Sequence, residues 1–237
     1  AMGTFAQEMA DKYQLTRESM DEFSIESLRR ANAAIESGAF EKEIVPVTFT
    51  NRGGEQTVDT DEGPSKGRPD KIPSLRPAFA KDGTITAATS SSISDGAAAI
   101  VLSSESKAKE KGLKPVARIV AHAAHAQEPA EFTIAPVGAI QKVLDQAGWS
   151  VDDVDLWEVN EAFACVTMFA MQDIGISHDK INVNGGGTAL GHPIGCSGTR
   201  IITTLLGALE TQGKKRGIAS LCIGGGEATA VAVELID

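Results

Sequence analysis

Residues 182–198 read Asn-Val-Asn-Gly-Gly-Gly-Thr-Ala-Leu-Gly-His-Pro-Ile-Gly-Cys-Ser-Gly and lie between a short β-type run and a helical one. Glycine adopts backbone angles that other residues avoid, and it lets a ligand approach the main chain closely. Pro193 biases His192 toward an extended conformation. Such a loop can bind an anion, shape a tight corner or carry a catalytic imidazole.

Spacing removes two cofactor interpretations of this loop. A dinucleotide fingerprint of the form G-x-G-x-x-G could begin at Gly185, but its last position is Leu190. The sequence contains no Gly-Lys-Ser or Gly-Lys-Thr, which a P-loop requires, so the loop is not a P-loop.

Composition limits the class of protein. The 237 residues and 42% hydrophobic content are sufficient for one large domain or two small ones. A net charge of −10 argues against nucleic-acid binding, which needs clustered Lys and Arg. The chain has no apolar run long enough to cross a membrane. Its three cysteines suit neither a disulfide framework nor a zinc site, so we expect a reducing, cytoplasmic location.

The first third of the chain predicts helices followed by a long polar excursion. Helical spacing covers residues 4–14, and Thr16 is a good N-cap for a second helix that ends at Gly38. A strand is expected over 44–50. The polar excursion over 51–77 contains Gly63-Pro64-Ser65-Lys66-Gly67, which matches the G-x-S-x-G pattern of serine hydrolases. We reject that match, because a nucleophile elbow needs a strand before it and a helix after it.

The rest of the sequence alternates strands and helices, which is typical of an α/β fold. Strands are predicted over residues 97–102, 117–121, 156–159, 181–183, 218–223 and 228–235, and helices over 104–111, 136–147 and the stretch after residue 198.

Three polar side chains occupy the points where strands pass into loops: Asn160, His192 and Cys222. Sites in α/β sheets gather at such points. Each residue also has an ordinary explanation, as a helix cap, a loop corner or a small buried hydrophobe. Taken together, an amide, an imidazole and a thiol favour a nucleophilic site. We interpret Cys165 and Cys196 as packing residues, and His122 and His125 as structural.

A cluster of serines at 90–92 has two interpretations. It forms an ordinary turn, or it offers hydroxyls to a ligand. The sequence favours the turn when this cluster is considered alone.

The motifs 160–164 (Asn-Glu-Ala-Phe-Ala), 184–198 and 222–226 (Cys-Ile-Gly-Gly-Gly) resemble the three signature loops of the thiolases. Residues 2–3, 75–79 and 94–97 resemble the same family in the same order. The resemblance spans the whole chain, and within the family it is strongest to acetyl-CoA acetyltransferases.

The resemblance implies a layered α/β/α core with a loop and helical excursion domain and an incomplete N-terminal core half. Residues 1–112 would be the later part of the N-terminal domain. That part would comprise a loop domain over 1–92 and a core strand and helix over 93–112. Residues 113–237 would be the C-terminal domain.

The resemblance also implies an acetyl-CoA C-acetyltransferase, which converts two acetyl-CoA into acetoacetyl-CoA and CoA or runs the reverse thiolysis. His192 would activate a nucleophilic cysteine and, with a water held by Asn160, stabilise an enolate oxygen. Cys222 would act as acid and base, and the Gly224 amide would complete an oxyanion hole. CoA thioesters would be substrates, with no resident cofactor or metal. Positions that would line the CoA channel and acyl end are Ser91, Ala87, Phe79, Ala162, Phe163, Met2 and Phe132.

One departure concerns the nucleophile, since no cysteine here matches the one that thiolases carry in their first half. The expected partners are therefore acetyl-CoA, acetoacetyl-CoA and CoA, together with either a missing N-terminal segment or other copies in a dimer or tetramer. The alternative is a truncated, non-catalytic CoA-binding or assembly module. Basic residues of the excursion (Lys66, Arg68 and Lys71) are candidates for the CoA phosphates, with a solvated loop as the equal alternative.

Overall fold

A computed structural model describes residues 1–236 of the chain. Its α-helices are α1 (Met2–Lys12), α2 (Arg17–Glu36), α3 (Glu62–Lys66), α4 (Glu105–Glu110), α5 (Ala135–Ala147), α6 (Ala164–Ile174), α7 (Gly187–Leu190) and α8 (Ser197–Gln212). Its strands are β1 (Val47–Asn51), β2 (Gly54–Val58), β3 (Ala117–Ala126), β4 (Leu156–Val159), β5 (Arg216–Cys222) and β6 (Glu227–Leu235). A 3₁₀ helix of six residues covers Pro69–Ser74, and shorter 3₁₀ turns cover Pro129–Glu131, Val151–Asp153 and His178–Lys180.

A four-stranded sheet in the order β3-β6-β5-β4 forms the centre of the molecule. β4 and β5 are parallel, whereas β6 is antiparallel to both of its neighbours. Trp157 of β4 belongs to the apolar cluster that includes α5 and α6, and its neighbour Leu156 belongs to the cluster formed with α8. Adjacent strand residues point to opposite faces, so helices cover both faces of the sheet. The predicted layered α/β/α arrangement is confirmed.

Helices α1 and α2 pack against the same core as α5 and α6. Met9 and Met20 are buried in the cluster that contains Trp157. The Thr16 hydroxyl accepts a hydrogen bond from the Ser19 amide at 3.1 Å, which confirms the predicted N-cap. Helices α1 and α2 are therefore packed on the C-terminal half of the chain.

The rejected hydrolase motif lies in the short helix α3. Ser65 is exposed, and its hydroxyl donates to the carbonyl of Glu62 at 3.0 Å, as a solvent-facing helical serine does. Strand β2 ends at Val58, and Ser65 lies inside α3 and not at the turn between this strand and the helix, so the motif builds no nucleophile elbow. The rejection is confirmed.

Two predicted strands do not form in the described residues. Residues 97–102 make no strand pairing, and Val101 and Leu102 are 90% and 72% exposed. The prediction of a strand over 97–102 is wrong for this structure, because a strand needs a neighbour for its backbone groups and these residues have none here. Residues 181–183 make a single parallel bridge from Ile181 to Trp157. The helix predicted next to the first of these segments is present as α4.

Residues 93–103 should therefore exchange their amide hydrogens much faster than β6. No backbone amide of this segment donates a main-chain hydrogen bond, whereas β6 is paired on both sides. Hydrogen exchange followed by mass spectrometry checks this, with the peptide over 227–235 as the internal control. Protection of 93–103 comparable to that of β6 would contradict the structure.

Candidate active site

Asn160 follows directly after β4 and is enclosed by protein. Its backbone amide donates to the carbonyl of Ser220 at 3.0 Å, which extends the β4–β5 pairing by one residue. Its side chain is 1% exposed, and neither the amide nitrogen nor the amide oxygen has a protein partner. Buried amides are nearly always hydrogen-bonded, so this side chain is available to a water or a substrate atom.

The glycine-rich loop begins at Asn182, which has φ 47°. The side chain of Asn182 pairs with the backbone of Val159 as a neighbouring strand would. Its Oδ1 accepts a hydrogen bond from the Val159 backbone amide at 2.9 Å, and its Nδ2 donates to the Val159 carbonyl at 2.8 Å. Asparagine tolerates this left-handed conformation better than most residues. The loop is thus attached to the end of β4 beside Asn160.

The buried carboxylate of Glu161 holds this loop in place. It accepts hydrogen bonds from Ser27 of α2 at 2.8 Å and from the Asn182 amide nitrogen at 2.9 Å. It also accepts from the Thr188 amide at 3.1 Å and the Thr188 hydroxyl at 2.6 Å. A Cβ at Gly186 would lie 2.4 Å from this carboxyl group, so only glycine fits there.

His192 is fixed by two contacts. Its backbone amide donates to the carbonyl of Ser92 at 3.1 Å, and its Nδ1 lies 2.6 Å from the hydroxyl of Ser197. The Ser197 hydroxyl donates its own proton to the carbonyl of Pro193 at 3.1 Å. When the hydroxyl proton is on the Pro193 carbonyl, the Ser197 oxygen accepts from Nδ1–H, and Nε2 is the unprotonated nitrogen of the neutral imidazole.

Ser197 lies within the glycine-rich stretch 182–198, but the sequence pattern assigns it no role. The signal in the sequence is a hydroxyl five residues after His192, at the first residue of α8.

The electrostatics of His192 favour its neutral form. Burial lowers the pKa of the imidazole, and the positive charge of Arg200 lowers it further. A neutral imidazole with a free Nε2 can accept a proton or donate a hydrogen bond after accepting one.

Cys222 ends β5 and is 7% exposed. Burial raises the pKa of its thiol to about 12, so the group is protonated at neutral pH. The other two cysteines are also buried, with Cys165 in α6 and Cys196 directly before α8. Both have raised thiol pKa values because of burial.

The turn after Cys222 carries Gly224 and packs against two other segments. Met2 lies over Gly224, since a Cβ at this glycine would be 2.9 Å from the Met2 sulfur. Gly226 has φ 100°, and a Cβ there would lie 2.4 Å from the Gln127 carbonyl, so a side chain at this position would be blocked. The segment that leads to Phe132 is thereby held next to the turn.

Three of the residues predicted to line the substrate channel form an aromatic group. The Phe163 ring lies 5.9 Å from that of Phe79 and 6.2 Å from that of Phe132, both in edge-on geometry. Phe79 is 40% exposed and covers Gly3, whereas Phe132 is 2% exposed. The group therefore runs from the surface to the interior beside the Asn160 loop.

The serine cluster links the loops. The Ser91 amide and hydroxyl both donate to the carbonyl of Ala162, at 3.1 and 2.9 Å. Ser90 forms a bridge to Phe163, and Ser92 contacts His192 as described above. The cluster thus acts as a connection between the Asn160 loop and the glycine-rich loop. Ala87 is exposed at the start of this segment.

The basic candidates of the excursion are exposed and already paired. Lys66 contacts Glu62 at 2.6 Å, and both Arg68 and Lys71 lie within 4 Å of Asp70. Their proposed role toward CoA phosphates stays a prediction.

Residues 113–235 match the family model of the thiolase C-terminal domain, and residues 1–106 match that of the thiolase N-terminal domain. The chain belongs to the thiolase family.

Curated relatives of similar sequence include a probable acetyl-CoA acetyltransferase of Dictyostelium discoideum, which is 49% identical over 99% of this chain and 57% of its own length. An acetyl-CoA acetyltransferase of Allochromatium vinosum is 48% identical over 98% of this chain and 60% of its own length. The chain therefore spans about 60% of the length of the relatives that it matches.

Solved structures agree with this fold. The Bacillus anthracis acetyl-CoA acetyltransferase superposes with a TM-score of 0.96 at 44% identity, over 99% of this chain and 60% of that one. The Acat5 thiolase of Ascaris suum, solved in complex with coenzyme A, gives a TM-score of 0.92 at 42% identity, with the same coverage of both chains. Within residues 1–236, none of the helices combines the length and apolar character needed to cross a membrane.

Replacing Glu161 by alanine should destabilise the protein by about 2–4 kcal/mol, because donors from Ser27, Asn182 and Thr188 lose a buried acceptor. Chemical denaturation at pH 7 measures the change. Glu131→Ala, at a surface carboxylate paired with Lys12, is the matched control and should change stability by less than about 1 kcal/mol. Equal effects of the two substitutions would contradict the role given to Glu161.

Replacing Ser197 by alanine should release the tautomer of His192, since Nδ1–H loses its acceptor. Nitrogen chemical shifts of labelled histidine at pH 8 distinguish the two tautomers. The wild-type chain should show protonated Nδ1 at His192, and the alanine variant a mixture. Ser65→Ala, on the exposed face of α3, should leave the His192 spectrum unchanged.

Proposed function

We propose that this chain supplies part of the active site of a thiolase-type acyltransferase. The reaction joins two acetyl-CoA molecules to give acetoacetyl-CoA and CoA, or cleaves acetoacetyl-CoA in the reverse direction. The observation that carries the proposal is the joining of the Asn160 loop, the His192 loop and the Cys222 turn at one end of the sheet. The names of the relatives support the substrate class.

In the thiolysis direction, a cysteine from a segment outside this sequence attacks the ketone carbon of acetoacetyl-CoA. His192 accepts the proton of that cysteine at Nε2, the nitrogen that Ser197 leaves free. The carbon–carbon bond breaks, and its electron pair passes to the enolate of acetyl-CoA. The Cys222 thiol, protonated at neutral pH, donates its proton to the enolate carbon.

The second half of the reaction restores each group. CoA–SH gives its proton to the Cys222 thiolate, and its sulfur takes the acyl group from the nucleophilic cysteine. That cysteine regains its proton from His192. The condensation runs through the same steps in reverse.

The developing negative charges are stabilised by groups that face the reacting carbons in this proposal. Asn160 has an enclosed amide without protein partners, which suits a bound water beside the enolate oxygen. The Gly224 amide would serve the oxyanion of the acyl-cysteine. The predicted channel residues would then contact the pantetheine arm, and Met2 with Phe132 would lie at the acyl end.

A second candidate function is CoA binding without catalysis, or a role in assembly. It is favoured by the burial of Cys165 and Cys196, which leaves no exposed thiol among the described residues to act as the nucleophile. A cytoplasmic location and a homo-oligomeric state are part of the main proposal, with the free, buried cysteines in support of the former.

The decisive experiment combines binding and turnover. Calorimetry with CoA should detect binding by the isolated chain, and Phe163→Ala should weaken it about tenfold through loss of aromatic contact. The chain alone should show no thiolysis of acetoacetyl-CoA. Mixing it with the remaining amino-terminal segment of the Allochromatium vinosum relative should restore turnover, and His192→Asn should reduce that turnover at least 100-fold. His122→Asn, at an exposed position of β3, is the matched control.

The outcomes separate the alternatives. Turnover by the isolated chain would refute the need for an outside nucleophile. CoA binding without turnover in the mixture would favour the binding module, and the absence of both would favour assembly.

A further inference from the structure

The glycine-rich loop contains the only Asn-Gly pair of the sequence, Asn184-Gly185. An asparagine followed by glycine is especially prone to deamidation, because glycine has no side chain that shields its backbone nitrogen. That nitrogen is the atom that attacks the asparagine side chain. The reaction needs water as its only co-reactant, so it can occur in this loop without any substrate or partner.

Deamidation proceeds through a five-membered ring. The Gly185 amide nitrogen gives its proton to a base and bonds to the side-chain carbonyl carbon of Asn184. The bond from that carbon to the carboxamide nitrogen breaks, and the nitrogen takes up a proton and leaves as ammonia. Water then adds to one of the two ring carbonyls and breaks the bond from that carbonyl to the ring nitrogen. Opening at the side-chain carbonyl gives aspartate, and opening at the main-chain carbonyl gives isoaspartate.

The carboxamide of Asn184 is not restrained by a hydrogen bond. The residue is half-buried, and its side chain makes no hydrogen bond to any group within residues 1–236. Protection of this pair therefore falls to the attacking nitrogen of Gly185.

A tight turn holds that nitrogen. The Gly185 N–H donates to the carbonyl of Asn182 at 2.9 Å, which closes a four-residue turn with Asn184 in its third position. In hydrogen-bonded turns of the common types, the ψ angle of the third residue is about 0°. Ring formation requires the peptide between 184 and 185 to rotate well away from this angle, because its nitrogen must bond to both carbonyl carbons of Asn184. The turn must therefore break before the ring can form.

Helix α2 opposes the same rotation. A Cβ at Gly185 would lie 2.6 Å from the Ser27 carbonyl and 2.7 Å from the Ala31 Cβ, so the main chain of the loop lies directly on the helix. The Gly186 amide donates to the Ser27 hydroxyl at 3.0 Å, and this hydroxyl donates to Glu161 at 2.8 Å. The attacking nitrogen is thus fixed on both sides, and its peptide can rotate only when the loop leaves α2.

We propose that Asn184-Gly185 is a latent deamidation site, which the turn and helix α2 keep unreactive while the loop is closed and which reacts when the loop opens. Isoaspartate would lengthen the main chain by one carbon where there is no room for it, since a Cβ at Gly186 would already lie 2.4 Å from the Glu161 carboxyl group. The loop that carries His192 could then not close again. A temporary opening would thereby become permanent.

The test compares deamidation of the folded and the unfolded chain at pH 9. Trypsin cuts after Lys180 and Arg200, and the peptide 181–200 contains both Asn182 and Asn184. Mass spectrometry with fragmentation assigns the conversion of amide to acid to one of them. Conversion at 184 should be at least about tenfold slower in the folded chain than in guanidinium chloride, because the loop must open first. Equal rates in the two states would overturn the proposal, and so would conversion at 182 alone.

A substitution in α2 tests the part played by the helix. Ser27→Ala removes the hydroxyl that joins α2 to Gly186 and Glu161, and it should accelerate conversion in the folded chain roughly three- to tenfold. Ser65→Ala, on the exposed face of α3, is the control and should leave the rate unchanged. Circular dichroism verifies that each variant is folded. If Ser27→Ala does not fold, Thr188→Val removes one hydrogen bond to Glu161 and serves the same purpose. An unchanged rate in the folded variant would contradict the protection by the closed loop.

Discussion

One buried carboxylate determines the relation between the parts of the site. Glu161 receives hydrogen bonds from helix α2, from the start of the glycine-rich loop and from the first turn of α7, so three segments far apart in sequence share one acceptor. Its neighbour Asn160 carries the free amide of the site. A buried carboxylate is tolerated only when its oxygens accept hydrogen bonds. Separating the three segments would therefore leave the Glu161 carboxylate without partners, at a large cost in free energy. The hydrogen bonds to Glu161 thus fix the positions of the loops in the absence of substrate.

The polar groups around this point fall into two kinds. Glu161 and Asn182 are fully hydrogen-bonded and serve the structure. Asn160, Glu158 and Arg200 retain buried atoms without partners and are costly to the fold. Two of these groups, Glu158 and Asn160, lie on either side of Val159, the residue to which the glycine-rich loop is attached through Asn182.

Local patterns could be predicted from the sequence, and long-range pairings could not. The N-cap at Thr16 and the strand over 156–159 follow from side-chain chemistry within a few residues, and both are present. The strand over 97–102 was predicted from apolar composition, but its formation depends on a neighbour that composition does not reveal. Asn160, His192 and Cys222 were singled out at strand ends. Arg200 was not, because its partner Glu158 is identified only by the packing of α8 on the sheet, and Ser197 was missed although it lies only five residues after His192.

The side chain of Asn182 has a consequence for the addition of further strands to the central sheet. The open edge of a sheet is a template on which another chain can add a strand. At the end of β4, the Asn182 amide occupies both backbone groups of Val159 that would face such a strand, and Ile181 bridges to Trp157 beside it. One edge of the central sheet is thereby closed by a side chain instead of by a further strand. The edge to which a strand of another chain could add is the opposite one, at β3.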